Sequence, residues 1–390
     1  MCPLSAFSQM GGAAKSYPTA MVVDSLPTVL NNTSTLFYWQ GGLWTSNDHG
    51  GMVLYELDSL TGNIVRQLPS EDTLAPFSDM EEVTQDDAYF YFGDFGNNHE
   101  RLRDDLRILR LSKASLMAGL YLFDTIFFTY EGYDPSLHGR EEIPTTDYDC
   151  EAMVATGDSL YLFTKQWSSM QTTCYALPKQ PGRYTAYPKG SADVYGLVTG
   201  ACFQPDLRLL VFSCYTPLCQ PFIYLLYDFN TTDFFAGEHL RLPLNNNIGI
   251  QIEAITTADG LHYYLTNEHF SHLGINYPAQ LLELDLSDYL GGYLHPDTAQ
   301  LGIASPRLES RHFALSPNPA INQVEVSALK GNAIVSLSLY DARGVKLLEQ
   351  TFPQKVDRCC LDVSHLLAGS YVMRVSAAGG YNEELHLVVQ

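Results

Sequence analysis

The chain has 390 residues, roughly two to four times the ~100–200 of one ordinary domain, so a single small module is excluded. Hydrophobic residues make up 46% and charged residues 17%, which excludes disorder of the whole chain. A formal net charge of −22 repels phosphate backbones and anionic lipid; it sets nucleic acid and membrane surfaces aside as partners and makes cations the natural complement.

No run reaches the ~18 apolar residues of a transmembrane helix, so no transmembrane segment is expected. At the start, MCPLSAFSQ carries small residues at Ala6 and Ser8, as a signal-peptidase site does, without a basic region or a long apolar stretch before them. Residues 1–14 are therefore either the tail of a signal peptide cut before Gln9 or an unstructured terminus.

A pattern then returns along residues 15–303: a polar start, a short apolar strand, a turn, a second aromatic strand and a third strand. The clearest copies run from Asp79 to Asp94 and from Asp149 to Lys165. Thr199 to Cys214 and Gln251 to Asn267 follow, and an N-terminal copy keeps only its second half, Gly42 to Asp48. Glu151 to Lys165, Gly200 to Cys214 and Glu253 to Asn267 each span 14 positions, and Glu81 to Asp94 spans 13. Short aromatic and β-branched strands recurring every ~50–70 residues, without a helical period, predict an all-β fold built of four-stranded propeller blades. Five blades are detected, with a degenerate sixth as the alternative. The segment Tyr17 to Val23 is expected to add the outermost strand of the last blade and so tie the ring shut.

Residues at one repeat position converge on a propeller axis. The aligned position carries Glu81, Glu151, Gly200 and Glu253, with Asp79 and Asp149 two residues before. The loops after the second strands add Asn47, Asp48, Asp94, Asn97, Asn98, Asn267 and Glu268. Hard oxygen donors from several loops are what Ca2+ requires, at 6–8 oxygens and ~2.3–2.6 Å; without a cation such carboxylates raise one another's pKa. Glu81, Glu151, Glu253, Asp48, Asp79 and Asp149 are the candidate metal ligands. Asp94, Asn97, Asn98, Arg101, Lys165, Trp167, Asn267 and Glu268 form the candidate binding rim, with Arg101 or Arg103 suited to an anionic group. Strand-start acids that only cap turns, and a channel filled with water, are the plain alternative.

No GxSxG, HExxH, Walker loop or strand-borne GxGxxG is present, so seryl, zincin and nucleotide chemistry are unsupported. The cysteines include no CxxC pair, which leaves neither a zinc knuckle nor a dense disulfide scaffold. Cys214 and Cys219 are either bridge partners or two free thiols.

From Pro306 onward there are eight basic and eight acidic residues, so the whole negative excess lies before it. That shift, with Ala304-Ser305-Pro306, marks a linker at 304–312 and a second domain at 313–390. Its short alternating strands predict a small Ig-like antiparallel β-sandwich. Ser316-Pro317-Asn318-Pro319, Leu339 to Gly344 with Tyr340 and Asp341, Leu361 to Ser364, and Gly369-Ser-Tyr371-Val-Met-Arg374 stand in the order of a known family. The segment resembles the C-terminal sorting domain of the type IX (Por) secretion system of Bacteroidetes, although it ends in Val-Val-Gln390 where many members end in Lys. The resemblance implies an exported protein, secreted or held at the outer surface, whose partners are the type IX machinery and its sorting peptidase, with cleavage in the linker. It also favours a truncated signal peptide at the start.

The propeller region is distantly similar to esterase-like phytase and lactonase-type calcium propellers through its D-x-E-A and Gly93-Asp-Phe-Gly-Asn-Asn98 elements. Two functions follow. The first is a binding propeller for a glycan, peptide or host protein, with axial Ca2+ as a structural tie. The alternative is a calcium-dependent hydrolase in which Glu81, Glu151 or Glu253 positions metal-activated water.

Overall fold

The computed structural model describes residues 17–69, 76–98, 102–134, 146–246, 249–272, 275–294, 313–328, 333–341, 345–377 and 382–389. The expected signal-peptide remnant at 1–14, the linker at 304–312, Arg101 and Gly344 lie outside the described residues. The chain divides into two compact units, Met1–Ile303 and Ala304–Gln390.

In the first unit, apart from two short ribbons, Gly50–Gly51 with Pro76–Phe77 and Phe270–His272 with Ile275–Tyr277, the described strands form five four-stranded antiparallel meanders. The first sheet contains Phe37–Trp39, Gly42–Thr45, Leu54–Leu57 and Ile64–Leu68. The second contains Met80–Gln85, Tyr89–Asp94, Arg107–Ser112 and Phe123–Tyr130, and the third Asp149–Thr156, Ser159–Lys165, Gln171–Pro178 and Gly182–Asp193. The outermost strands of these two pair in parallel from Ile126–Gly182 to Tyr130–Ala186, joining them into eight strands. Leu197–Gln204, Leu209–Tyr215, Pro221–Tyr227 and Glu238–Pro243 make the fourth sheet. The fifth takes Ile252–Thr257, His262–Asn267 and Gln280–Asp285, and its fourth strand is the N-terminal Met21–Ser25, paired from Met21–Glu283 to Ser25–Gln280. The chain's beginning and the end of its last meander thus share one sheet.

Both faces of each sheet are apolar because each is packed against a neighbour. Phe37, Trp44, Phe90 and Phe92 fill the seam between the first and second sheets, and Ile108, Phe128, Met153 and Leu162 that between second and third. Phe163, Phe212 and Phe222 join third to fourth, and Val211, Ile223, Leu265 and Leu282 fourth to fifth. Leu43 and Tyr55 meet Ala254 and Leu281 between fifth and first. The seams return to their origin, a propeller-like ring.

The pairing register slips by one residue at the same place in four first strands. The slip falls between Met80 and Glu82, Cys150 and Ala152, Val198 and Gly200, and Ile252 and Ala254. The extra residue of each β-bulge is therefore Glu81, Glu151, Thr199 and Glu253. In the first sheet the slip falls between the Thr33–Asn47 bridge and the Phe37–Trp44 pair. Ser34 is its counterpart, because Ser34 Oγ donates to Met80 O at 2.8 Å just as Thr199 Oγ1 donates to Ile252 O at 2.5 Å. Each hydroxyl reaches the next sheet at the residue before its glutamate. This corrects the sequence alignment, which placed Gly200 at the glutamate position. The hairpins between first and second strands differ in length, from the Thr156–Ser159 closure to the Gln204–Leu209 closure, so counting across them shifted one copy.

In the second unit, Phe313–Ser316, Gln323–Ala328 and Arg358–Asp362 form a three-stranded sheet. Lys346–Val356, Ile334–Asp341, Gly369–Ala377 and Asn382–Val389 form a four-stranded one, in that spatial order. Phe313, Val324, Val326, Leu337, Leu339, Met373 and Leu387 share one core. The motif residues are scaffolding: Ser316 ends the first strand, and after Pro317 the Asn318 Oδ1 accepts from Val388 N at 2.8 Å, with Pro319 next in the turn. Asp341 pairs with Tyr371 across the sheet, Tyr371 OH donates to Leu367 O at 2.6 Å just before Gly369, and the Arg374 guanidinium lies 5.4 Å from the Tyr340 ring.

Thr199→Val keeps the shape and removes the donor, leaving a buried carbonyl without its partner. The expected cost is about 1–3 kcal/mol in urea unfolding; a neutral result would restore Gly200 to the inward position.

Candidate functional site

The bulges turn Glu81, Glu151 and Glu253 toward one another at the start of the first strands, and one residue at or just past the end of each second strand adds a further ring. Asp48, Phe95, Lys165, Tyr215 and Glu268 occupy that equivalent place, one beyond Asn47, Asp94, Thr164, Cys214 and Asn267. Lys165 lies at the centre of the charge network. It is 4% exposed, and its Nζ donates to Glu151 Oε1 at 3.0 Å. The same ammonium sits 5.0 Å from the Trp167 ring and 5.2 Å from the Tyr215 ring, a desolvated cation–π arrangement. Burial opposes its charge, but Glu151, Tyr215 and Glu253 hold its pKa well above the ordinary lysine value, so it is protonated.

The carboxylates are less well compensated. Burial first, then Glu151, Asp79 and Asp149, push Glu81 well above the usual range. Burial and then Glu253 and Asp48 do the same to Glu268. Glu151 and Glu253 are raised by burial against the opposing pull of Lys165. Asp79 and Glu81 lean on one glycine: a Cβ built on Gly96 would collide with Asp79 Oδ2 and Glu81 Oε1. Ligand atoms of Asp48, His49 and Asp79 all lie within 4.8 Å of one another, with His49 Nδ1 2.6 Å from Asp48 Oδ1. Burial raises the Asp48 carboxyl, while the His49 contact lowers it. Beside His49 opens a cleft of about 210 Å3 lined by Val29, Asn47, Gly50, Gly51, Val53 and Tyr55.

Other candidates hold the loops in place. Asp94 is fully enclosed; its Oδ1 accepts from the amides of Ser78 and Asp79 and from Arg103 Nη1, and its Oδ2 from Arg107 at 2.7 Å. Asp149 takes Asn97 N at 2.7 Å and Trp167 Nε1 at 2.9 Å, which ties the second sheet's loop to the third. Asn97 Oδ1 accepts from Arg103 N, and its Nδ2 donates to Tyr133 OH and Tyr148 O. Asn267 Nδ2 donates to Glu268 O and Pro278 O. Asn98 is half-buried in the same loop as Asn97. Cys214 and Cys219 are free thiols, the first buried and the second half-buried.

Sequence reasoning missed Tyr215, which shares the position of Lys165, and Glu82, a buried carboxyl beside Glu81. The signal for Tyr215 was the hairpin register; that for Glu82 was the exchange of Ala in Glu151-Ala152 and Glu253-Ala254 for a glutamate in Glu81-Glu82.

Residues 314–390 match the family model described as secretion system C-terminal sorting domain. Among curated proteins none matches the chain. Among solved structures, glutaminyl cyclase of Myxococcus xanthus is similar at 13% identity and a TM-score of 0.40, over 70% of this chain and 99% of that one. The PQQ-bound aldose sugar dehydrogenase of Streptomyces coelicolor is similar at 12% identity and a TM-score of 0.39, over 70% and 99%. The resemblance to phytase and lactonase propellers finds no support in these comparisons. No helix among the described residues is long and apolar enough to cross a membrane.

Lys165→Met strands the Glu151 carboxylate beside other acids. The expected loss is about 3–5 kcal/mol at neutral pH, read by chemical unfolding. The glutamates whose native pKa exceeds the unfolded value of 4.5 bind more protons folded than unfolded, so they make stability fall as pH rises from 4.5 through their native values. Metal-free protein should therefore unfold at higher urea at pH 5 than at pH 8; the reverse order would show that the carboxylates are otherwise neutralised.

The sorting-domain match at 314–390 makes the chain an exported protein, handled by the type IX secretion machinery and delivered to the cell surface or the medium.

Proposed function

We propose that the first unit is a five-bladed propeller serving as an extracellular binding module, with a divalent cation in its axial vestibule and Ca2+ as the ion its oxygen donors suit. The five meanders correspond to blades, closed by the strand Met21–Ser25 on the fifth, and the two sheets of the second unit to an Ig-like sandwich. The propeller would span residues 15–303, and the sorting peptidase would cut in 304–312 before release or attachment.

The observation that carries the cation is the imbalance of charge at the axis. Asp48, Asp79, Glu81, Glu151, Glu253 and Glu268 act on one another there with Lys165 against them. A cation relieves that repulsion, whereas a catalytic reading lacks a nucleophile set against a base. The rim supports a ligand rather than a closed end. Val29, Tyr195 and Leu218 stand exposed on loops that lead into first strands or out of second strands, and an aromatic and apolar rim around an acidic centre suits a peptide or sugar with a polar group reaching inward.

Calorimetric titration of chelator-treated full-length chain with Ca2+ tests the reading. Saturable heat is expected, together with stabilisation of about 2.7 kcal/mol at a hundredfold excess over Kd. Absence of both heat and any rise in Tm sinks the cation; Ca2+-dependent turnover of ester, lactone or phytate substrates that Glu151→Gln abolishes would replace binding with catalysis.

A further inference from the structure

Glu82 is 4% exposed and is joined to three first strands at once. Its Oε1 accepts from Val83 N at 2.9 Å on its own strand, and its Oε2 from Ala201 N at 3.2 Å on the fourth sheet, 119 positions away. The Met153 amide of the third sheet also bonds to it. Glu82 lies one residue beyond Glu81, Met153 two beyond Glu151, and Ala201 two beyond Thr199, so the carboxyl spans the axis one layer beneath the acidic ring. The other sheets carry Thr35, Ala152, Gly200 and Ala254 at this place. A Cβ on Gly200 would come within 2.7 Å of Glu253 O and 2.8 Å of Ser213 Oγ, so the fourth sheet carries no side chain at this place. Burial pushes the Glu82 carboxyl well above its ordinary range, against the pull of the amides that bond to it.

We propose that Glu82 is the positioning residue of the axial site: its side chain forms the floor of the vestibule and fixes the separation of the strands that present Glu81 and Glu151. The inference rests on the cation reading above. Residues that orient metal ligands without touching the metal commonly change its affinity 10–100-fold when removed, and a floor that ties two ligand-bearing strands to a third acts in that way.

Two variants of the full-length chain, Glu82→Ala and Glu82→Gln, test it by amide hydrogen exchange and Ca2+ titration together. Glu82→Ala is expected to lose protection at the Met153 and Ala201 amides and to bind Ca2+ about 10–100-fold more weakly. Glu82→Gln, of nearly the same shape but with a single acceptor oxygen, sets its NH2 against one of the bonded N–H groups; it is expected to lose protection at one of the two amides and to bind Ca2+ with an affinity between those of Glu82→Ala and the wild type. Unchanged exchange at these amides in Glu82→Ala overturns the tie. Lost protection with unchanged Ca2+ affinity overturns positioning and leaves a purely structural role; a Glu82→Gln that keeps both amides protected yet binds Ca2+ as weakly as Glu82→Ala overturns it too, since the carboxyl would then act through charge. If the wild-type chain takes up no Ca2+, the cation reading falls and the positioning role with it, while the exchange data still decide the tie. If Glu82→Ala does not fold, Glu82→Gln alone decides both.

Discussion

A sheet pressed between two others has no polar face to spend, and this constraint shapes the first unit. Alternation along a strand offers two directions, and here both are filled by a neighbouring sheet's side chains: on one strand of the fourth sheet Phe212 faces the third sheet and Val211 the fifth. A third direction, toward the axis, exists only where alternation breaks. The one-residue slip in each first strand supplies it, and every residue it turns inward is polar: Ser34, Glu81, Glu151, Thr199 and Glu253. The hydroxyls spend that direction on the neighbouring backbone and join one sheet to the next. The glutamates are too long to do so and meet at the centre instead. Ring closure and site geometry therefore come from one backbone irregularity.

What gathers there is held at a thermodynamic cost. Burial raises the pKa of these carboxylates and their closeness raises it further, and one ammonium offsets only part of the repulsion. Lys165 is placed where it does most, against Glu151 and within reach of Glu253, its position fixed by two aromatic rings that exclude water while still favouring the charge. Asp149 shows the other solution to the same problem: its oxygens are taken by an amide and an indole N–H, and it becomes part of the scaffold. Two residues on, Glu151 is met by the Lys165 ammonium instead, so neighbouring acids are compensated in two different ways.

The sequence made the strands, the recurrence and the closing N-terminal strand legible because they depend on local alternation and turn residues. It placed three glutamates at one position correctly because the pattern around them is local too: Asp-x-Glu at Glu81 and Glu151, and Glu-Ala at Glu151 and Glu253. It misplaced Gly200, since hairpin length enters the count and the bulge does not show in composition. Asp94 and Asn97 looked like ligands for the reason that they are good hydrogen-bonding residues; only the fold shows Arg103, Arg107 and the backbone already using them. Glu82 was invisible because its partners lie on two other sheets. In the second unit the motif residues were legible from their order along the chain, and the fold shows them in turns and cross-sheet contacts.

The two units carry charge differently, and the difference bears on where the site works. The sorting segment has equal numbers of acids and bases from Pro306 onward, and the negative excess lies wholly in the propeller. An acidic cluster at the axis weakens the metal-free fold through self-repulsion, and that penalty is relieved only where the proposed cation is abundant. Extracellular calcium modules work with dissociation constants of about 10⁻⁴–10⁻³ M, a range in which a cytosolic site would stay empty. The proposed site, where one fixed lysine already offsets part of the carboxylate charge, would belong to that range.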